Sequence, residues 1–322
     1  MPSVAVHTAV APLPPGTALA IGAFDGLHLG HQALVEQARR KGTAAGLLTF
    51  DPHPAEILAP ERAPPRLATA GQRIRLLERF GVAHLVLLPF DRTLAALTPE
   101  AFVERVLLDG LRPRAVIVGA SFRFGRGRSG GPKDLSRLCA RGDVEVVVVD
   151  EVPPPPECGG GFLSSTEIRR RLAAGDVAGA ACLLGRPHAV EGVVERGAGR
   201  GRALGVPTAN VGSIENVLPA PGIYAGALAV LAPERVGPMP AAISLGRNPT
   251  FTDPGAPLVL EVHVLDRDLD LYGARVEVSF VERLRDELAF DDVAALLRRI
   301  EDDVARTRRI VTPSVLANVL AP

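Results

Sequence analysis

The chain has 322 residues, 47% of them hydrophobic and 22% charged, with 36 basic side chains balanced by 36 acidic ones. That length admits two domains with ample core, and zero net charge supplies no global field to recruit nucleic acid or an anionic membrane. No apolar run approaches membrane-spanning length, and the opening Met-Pro-Ser-Val-Ala-Val-His has neither the basic nor the apolar region of a signal peptide, so the expected setting is cytoplasmic.

Ala18 to Gly22 is a short apolar run that predicts a buried strand. Asp25-Gly26 makes a turn, and Gln32 to Lys41 has helical composition. His28 and His31 therefore flank a glycine where a strand hands over to a helix. Amides of a first helical turn have no partners within the helix, and the helix dipole favours an anion there. Two imidazoles beside such a site would donate hydrogen bonds to a polyphosphate. The plain alternative is a strand-turn-helix with two exposed histidines.

Ala45 to Phe50 predicts a strand ending in the stiff Asp51-Pro-His-Pro54 loop. Thr69 to Phe80 predicts a helix, with Thr69 and Gln72 as a capping box and Gly81 as its stop. A strand over Ala83 to Leu88 and a helix from Thr98-Pro99 to Gly110 follow. Ala115 to Gly119 and Val144 to Asp150 are two more β-rich runs. Alternating strands and helices predict a parallel sheet covered on both faces. Ligands of such sheets sit beyond the carboxyl ends of the strands, where the two histidines fall.

Gly125-Arg-Gly-Arg-Ser-Gly130 matches the dinucleotide fingerprint, with Asp150 at the end of the next strand. Five residues, however, separate it from the strand ending near Gly119, and the helix after it, Pro132 to Arg141, is short. A mobile arginine-rich loop, with Phe122 and Phe124 available to stack on a ring, fits better. Gly-x-x-x-x-Gly-Lys-Ser/Thr is absent, and only Lys41 and Lys133 are lysines. Phosphates must then be held by arginine, backbone amides or a metal. Cys139, Cys158 and Cys182 have no metal-ligand spacing, and three unpaired, buried thiols are expected.

Past a Pro/Gly-rich loop, Ser164 with Glu167 predicts a capping box and a second anion-friendly helix start, with Arg169 to Arg171 in its first turns. A well-capped helix with solvated arginines is the alternative. Asp176 to Leu184 predicts one more helix, and Gly185-Arg-Pro187 the domain boundary. The pattern then changes to short consecutive strands over Val190–Glu195, Ile223–Val230, Ala241–Leu245, Leu258–Leu265 and Arg275–Val281. These predict a closed antiparallel barrel. Asp291 to Arg308 closes the chain as an amphipathic helix with Val293, Leu296, Leu297, Ile300 and Val304 on one face.

Three stretches of this half could carry chemistry. The glycine-rich run Gly197 to Gly205 is suited to folding over phosphates, or is a surface loop. In Pro207-Thr-Ala-Asn210, a hydroxyl and an amide oxygen could ligate a hard cation such as Mg²⁺, or the stretch is an ordinary turn. In Leu258 to Leu265, alternation puts Val259, Glu261 and His263 on one face. Glu261 is there either a solvated outer residue or a tuned general base.

Four motifs of the first half, Gly22-Ala-Phe-Asp-Gly-Leu-His-Leu-Gly-His31, Thr49-Phe-Asp-Pro-His-Pro54, Val118-Gly-Ala-Ser-Phe-Arg-Phe-Gly125 and Leu163-Ser-Ser-Thr-Glu-Ile-Arg169, resemble the bacterial bifunctional riboflavin kinase/FMN adenylyltransferases, the FAD synthetases. Gly199-Arg-Gly-Arg-Ala-Leu-Gly-Val-Pro-Thr-Ala-Asn210, Gly222-Ile-Tyr-Ala225, Gly246-Arg-Asn-Pro-Thr-Phe251, Leu260-Glu-Val-His-Val-Leu-Asp266 and Leu271-Tyr-Gly273 extend the resemblance over the second half. It implies an α/β nucleotidyltransferase domain with a Rossmann-like parallel sheet over residues 1–185, and an antiparallel β-barrel riboflavin kinase domain with a terminal helix over 186–322.

The resemblance also implies roles for the residues that match its motifs. His28 and His31 act on the ATP phosphates, with Gly22, Phe24, Asp25, Gly26, Gly30, Ser164, Ser165, Thr166 and Arg169 completing that site. Pro52, Pro54, Ser121, Phe122 and Phe124 hold the flavin. In the barrel, Glu261 is the base, Thr208 and Asn210 bind Mg²⁺ and phosphates, and Gly199, Gly201, Arg202 and Gly205 belong to a flap over ATP. Riboflavin, FMN and ATP are the implied partners, FAD the product, with no nucleic acid and with an oligomer left open. Three departures stand out: Ala23 for the usual asparagine, Ala120-Ser121 where an acidic or amide pair is common, and Ala289 for a lysine. They keep open a flavin-binding protein in which only the kinase module is active, and a transferase for another phosphate ester stays open beside it.

Overall fold

A computed structural model of the chain describes residues 3–197, 205–247, 258–267, 269–288 and 292–319. By contacts these divide into two units, one of residues 1–64 with 70–153 and one of 65–69 with 154–322. The boundary expected at 185/186 marks where helices give way to consecutive strands. The contact division falls earlier because α7 (Ser165–Ala173) and α8 (Val177–Leu184) bury Ile168, Leu172, Val177, Ala180, Leu183 and Leu184 in the same core as the barrel strands.

The first unit is built on six strands: β1 (Ala5–His7), β2 (Thr17–Ile21), β3 (Ala44–Asp51), β4 (His84–Pro89), β5 (Ala115–Gly119) and β6 (Glu145–Val149). Every pairing is parallel, in the order β1-β4-β3-β2-β5-β6. All five residues of β2 are buried, which is why the central strand reads as a continuous apolar run rather than an alternating one. Strands β2 to β4 are laid down in one direction and β5 and β6 in the other, so the order reverses between β2 and β5. A crevice at the carboxyl ends of those two strands follows from that topology.

Around the sheet run α1 (Leu29–Lys41), α2 (Pro54–Leu58), α3 (Ala70–Arg79), α4 (Arg92–Ala95), α5 (Pro99–Phe102) and α6 (Pro132–Cys139). Helix α5 opens on Thr98 and Pro99 as expected, but continues over Val103–Leu111 as a π-helix. Phe102, Val103, Val106 and Leu107 from that stretch pack with Leu135 and Leu138 of α6 and with Leu19, Ile21, Val116 and Val118 of the sheet.

The second unit is a closed barrel of β7 (His188–Glu195), β8 (Ala209–Gly212), β9 (Gly222–Ala232), β10 (Val236–Arg247), β11 (Leu258–Val264) and β12 (Arg275–Arg285), in the order β10-β11-β8-β7-β12-β9. All six pairings are antiparallel. Alternate residues such as Leu260, Val262 and Val264, or Val276, Val278 and Phe280, fill its core. Pro65–Thr69 from the first half belongs to this unit. Val217 N donates to Arg66 O at 2.8 Å, and the Thr69 hydroxyl, expected as a helix cap, donates to Glu191 Oε2 at 2.7 Å.

Three expectations are corrected. Cys158 and Cys182 are joined in a disulfide, with Cα atoms 5.6 Å apart, because α8 packs against the 3₁₀ turn Pro156–Cys158. Only Cys139 keeps a free thiol, which burial pushes up to about 11. The arginine-rich loop is a tight hairpin rather than a mobile segment: Phe124 and Gly130 exchange backbone hydrogen bonds, and Arg126 N donates to Leu97 O at 2.7 Å.

The third correction concerns the last long helix, α9 (Val293–Ile310), which α10 (Pro313–Asn318) follows. Leu296, Leu297, Ile300 and Val304 of the expected face are half-buried, but Val293 is 56% exposed, and the fully buried residues are Asp303 and Thr307. Asp303 is accommodated on that face because it accepts from Arg285 Nη2 of β12 at 2.7 Å and from its Nε at 3.0 Å. Apolar periodicity carries no trace of that pair. Breaking a buried ion pair from one side leaves an uncompensated charge. Asp303→Ala is therefore expected to lower stability by about 3–5 kcal/mol, read as a fall in the urea midpoint. The double change Asp303→Leu with Arg285→Met should recover most of the loss.

Candidate active sites

In the first unit, three loops leave the carboxyl ends of the adjacent strands β3, β2 and β5, beside the point where strand order reverses. The β2 loop is tightly wound. Phe24 and Leu27 have positive φ, +48° and +43°, and both are fully buried. Bulky side chains pay roughly 1–2 kcal/mol for that backbone region, and strain of this kind gathers where geometry serves a site. Helix α1 starts three residues earlier than expected, so His31 lies inside its first turn and His28 is its N-cap.

The His28 and His31 rings stack with centroids 3.7 Å apart and planes 19° apart. His28 Nδ1 accepts from the His31 backbone N–H at 3.4 Å, so in a neutral ring the proton sits on Nε2. His31 also contacts the Phe24 ring, at 5.1 Å between centroids. Burial, then the neighbouring charges of His28 and Arg73, hold His31 well below the usual histidine value. Arg73 of α3 was not singled out by sequence; no motif marks it, and only the fold brings its charge to this pair.

Pro52 and Pro54 lie on the β3 loop, where the Asp51–Pro52 peptide is cis and His53 caps α2 through Nδ1. On the β5 loop Ser121 is exposed and Phe122 half-buried, whereas Phe124 is 7% exposed and packs against Phe102 and Phe122. Phe124 thus serves the core, and Phe122 is the ring still open to solvent. A cavity of about 320 Å³, lined by Thr98, Pro99, Glu100, Arg126, Ser129 and Asp134, contains none of these predicted residues.

Ser164, Ser165, Thr166 and Arg169 belong to the second unit. Ser164 Oγ accepts from Glu167 N at 3.1 Å, forming half of the expected capping box. The Glu167 carboxylate turns instead to Arg170 and Arg171, whose hydrogen bonds lower its pKa to about 2. Arg171 is buried, not solvated; it donates to the carbonyls of Cys158 and Gly160 and so clasps the preceding loop to α7. Arg169 Nε donates to Pro65 O at 2.7 Å.

The barrel assembles the second set. Glu261 on β11 lies directly opposite Asn210 on β8 and Ser244 on β10, and Asn210 in turn faces Glu195 on β7. Directly opposed residues have Cβ atoms about 4.5–5.5 Å apart, so Glu195, Asn210, Glu261 and Ser244 form one polar row across four strands. Glu261 is half-buried. A Cβ on Gly197 would come within 2.2 Å of the Asn210 amide nitrogen, so the chain entering the glycine-rich run passes directly over that side chain. Next to it, Arg196 sits 5.9 Å from the centre of the Tyr272 ring. Gly205, Thr208 and Asn210 are described; Gly199, Gly201, Arg202 and Ala289 lie outside the described residues.

A family model described as FAD synthetase matches residues 11–167, and one described as riboflavin kinase matches 184–311. The bifunctional riboflavin kinase/FMN adenylyltransferase of Escherichia coli (strain K12) is 34% identical over 91% of this chain and 92% of its own. That of Pseudomonas fluorescens is 37% identical over 93% and 94%. A crystal structure described as a macrolide-efflux protein from Streptococcus pneumoniae superposes with a TM-score of 0.79 at 29% identity, covering 92% of this chain and 98% of that one. Among the described residues of this chain no helix is long and apolar enough to cross a membrane. Two family models in tandem and full-length relatives agree with the motif order, and the chain belongs to the bifunctional riboflavin kinase/FMN adenylyltransferase family.

Proposed function

We propose that this protein makes FAD from riboflavin in two ATP-consuming steps, the barrel phosphorylating riboflavin to FMN and the N-terminal module adenylylating FMN. The observation that carries the first step is the register that sets Glu261 opposite Asn210. Glu261 takes the proton from the ribityl 5′-hydroxyl as that oxygen attacks the γ-phosphorus of ATP, and ADP leaves. Thr208 and Asn210 offer hard oxygen donors that would hold Mg²⁺. The ion's chemistry is to neutralise charge on the transferring phosphoryl group.

In the second step the FMN phosphate attacks the α-phosphorus of ATP and pyrophosphate leaves, with no covalent enzyme intermediate. His28 presents Nε2–H at the N-terminus of α1, where amides and dipole already favour an anion. Phe122 and the Pro52 to Pro54 loop receive the flavin, and Ser164, Ser165, Thr166 and Arg169 act on ATP phosphates. The working place of such an enzyme is the cytoplasm.

The test is a time course of the purified protein with riboflavin, ATP and Mg²⁺, with the flavins separated chromatographically. FMN is expected first and FAD later. FMN alone would mean that the departures at Ala23 and Ser121 have silenced the first module. FAD formed only from added FMN would remove the kinase assignment.

A further inference from the structure

The ladder between β8 and β11 runs Val211 to Leu260, Asn210 to Glu261 and Ala209 to Val262. Carried one step further, it sets Thr208 against His263. The two positions assigned to the cation and the two same-face residues of β11 are thus matched pairs: Asn210 with Glu261, and Thr208 with His263. Strand β8, however, begins only at Ala209. Where the ladder stops, the His263 ring reaches across, and its Nδ1 lies 2.8 Å from the carbonyl oxygen of Pro207.

A carbonyl only accepts, so Nδ1 carries the proton in this contact. That bond fixes more than Pro207. The Pro207 carbonyl and the Thr208 N–H belong to one planar peptide, so anchoring the oxygen sets the plane from which the Thr208 side chain departs. The proline ring restricts φ on one side, and pairing of Ala209 with Val262 fixes the chain on the other. Thr208 is therefore held from both ends, by the His263 contact to Pro207 O on one side and by the ladder on the other.

We propose that His263 is a positioning residue of the riboflavin kinase site: its Nδ1–H, through the Pro207 carbonyl, orients Thr208 toward the cation and the ATP phosphates. This rests on the reading of the barrel as the kinase. His263 touches neither nucleotide nor flavin in this scheme, and its effect belongs to the binding of metal–nucleotide rather than to proton transfer. Residues that orient a ligand in this way are worth about 10–100-fold in metal affinity.

The experiment compares His263→Leu with His263→Asn in the full chain. Leucine keeps bulk and removes the donor, while asparagine places a side-chain N–H near the position of Nδ1. His263→Leu is expected to raise KM for Mg·ATP in riboflavin phosphorylation roughly ten-fold, with a smaller change in kcat. It should weaken binding of Mn²⁺ with ADP, followed by the EPR signal of the free ion, by the same factor. His263→Asn should restore most of both, and FMN adenylylation should be unchanged in either variant. Where leucine also lowers adenylylation, asparagine decides: near-native Mn²⁺–ADP affinity supports the role, and a ten-fold loss overturns it. If the unsubstituted protein forms FMN but leucine leaves both KM and Mn²⁺–ADP affinity intact, the positioning role fails and the kinase reading stands. If the unsubstituted protein forms no FMN, the kinase reading falls and takes this one with it.

Discussion

Replacing Glu261 by alanine is expected to abolish conversion of riboflavin to FMN while FMN is still converted to FAD. The side chain is half-buried on the outer face of β11, and the core on the other face is filled by Leu260, Val262 and Val264. Truncation there opens no cavity, so the barrel should survive. What is lost is the acceptor for the 5′-hydroxyl proton. A positioned base contributes roughly 10²–10⁴-fold, while alignment and charge neutralisation carry much of the remaining rate in phosphoryl transfer. The defect should therefore lie in kcat, with KM for riboflavin and Mg·ATP nearly unchanged. Glu261→Gln keeps shape and polarity without basicity and should be as inactive as alanine. A glutamine variant within ten-fold of the unsubstituted rate would show that Glu261 only fills its place in the polar row.

The sequence made the two architectures readable because each has its own period. Buried parallel strands such as β2 and β5 are unbroken apolar runs, and β11 alternates between core and surface. What escaped was whatever depends on a partner remote in the chain. Strand β8 contains Ala209, Asn210 and Gly212 and follows a proline, so it reads as a turn; its pairing with β7 and β11 makes it a strand. The same pairing sets Glu261 in a row with Asn210 and Ser244, a neighbourhood that periodicity alone does not show. Asp303 falls on the apolar face with Leu296 and Ile300, and only Arg285 arriving from β12 accounts for a carboxylate there. Cys158 and Cys182 stand 24 residues apart, a spacing that says nothing about contact until α8 folds back. The two histidines were legible as neighbours at a strand-to-helix turn, but their stacking and the charge of Arg73 were not. Those come from starting α1 at Leu29 and from the packing around it.

Replacing both His28 and His31 by alanine should have the opposite outcome to Glu261→Ala: riboflavin still becomes FMN, and FMN no longer becomes FAD. Each hydrogen-bond donor aimed at developing phosphate charge is worth roughly 10²–10³-fold. The loss should fall on kcat because that charge builds only as pyrophosphate departs. One complication has a structural remedy. His28 is the N-cap of α1 and accepts from His31 N, so alanine at 28 also removes a cap worth about 1 kcal/mol. His28→Asn keeps an acceptor for that amide, since asparagine is among the preferred capping residues, but withdraws the donor that Nε2 extends toward the phosphates. The asparagine variant should then unfold at the native temperature and still be as impaired in FAD formation as alanine at 28. If His28→Asn instead forms FAD at the native rate, His28 is only a helix cap. The phosphates would then have to be held by the α1 amides, by His31 and by the charge of Arg73.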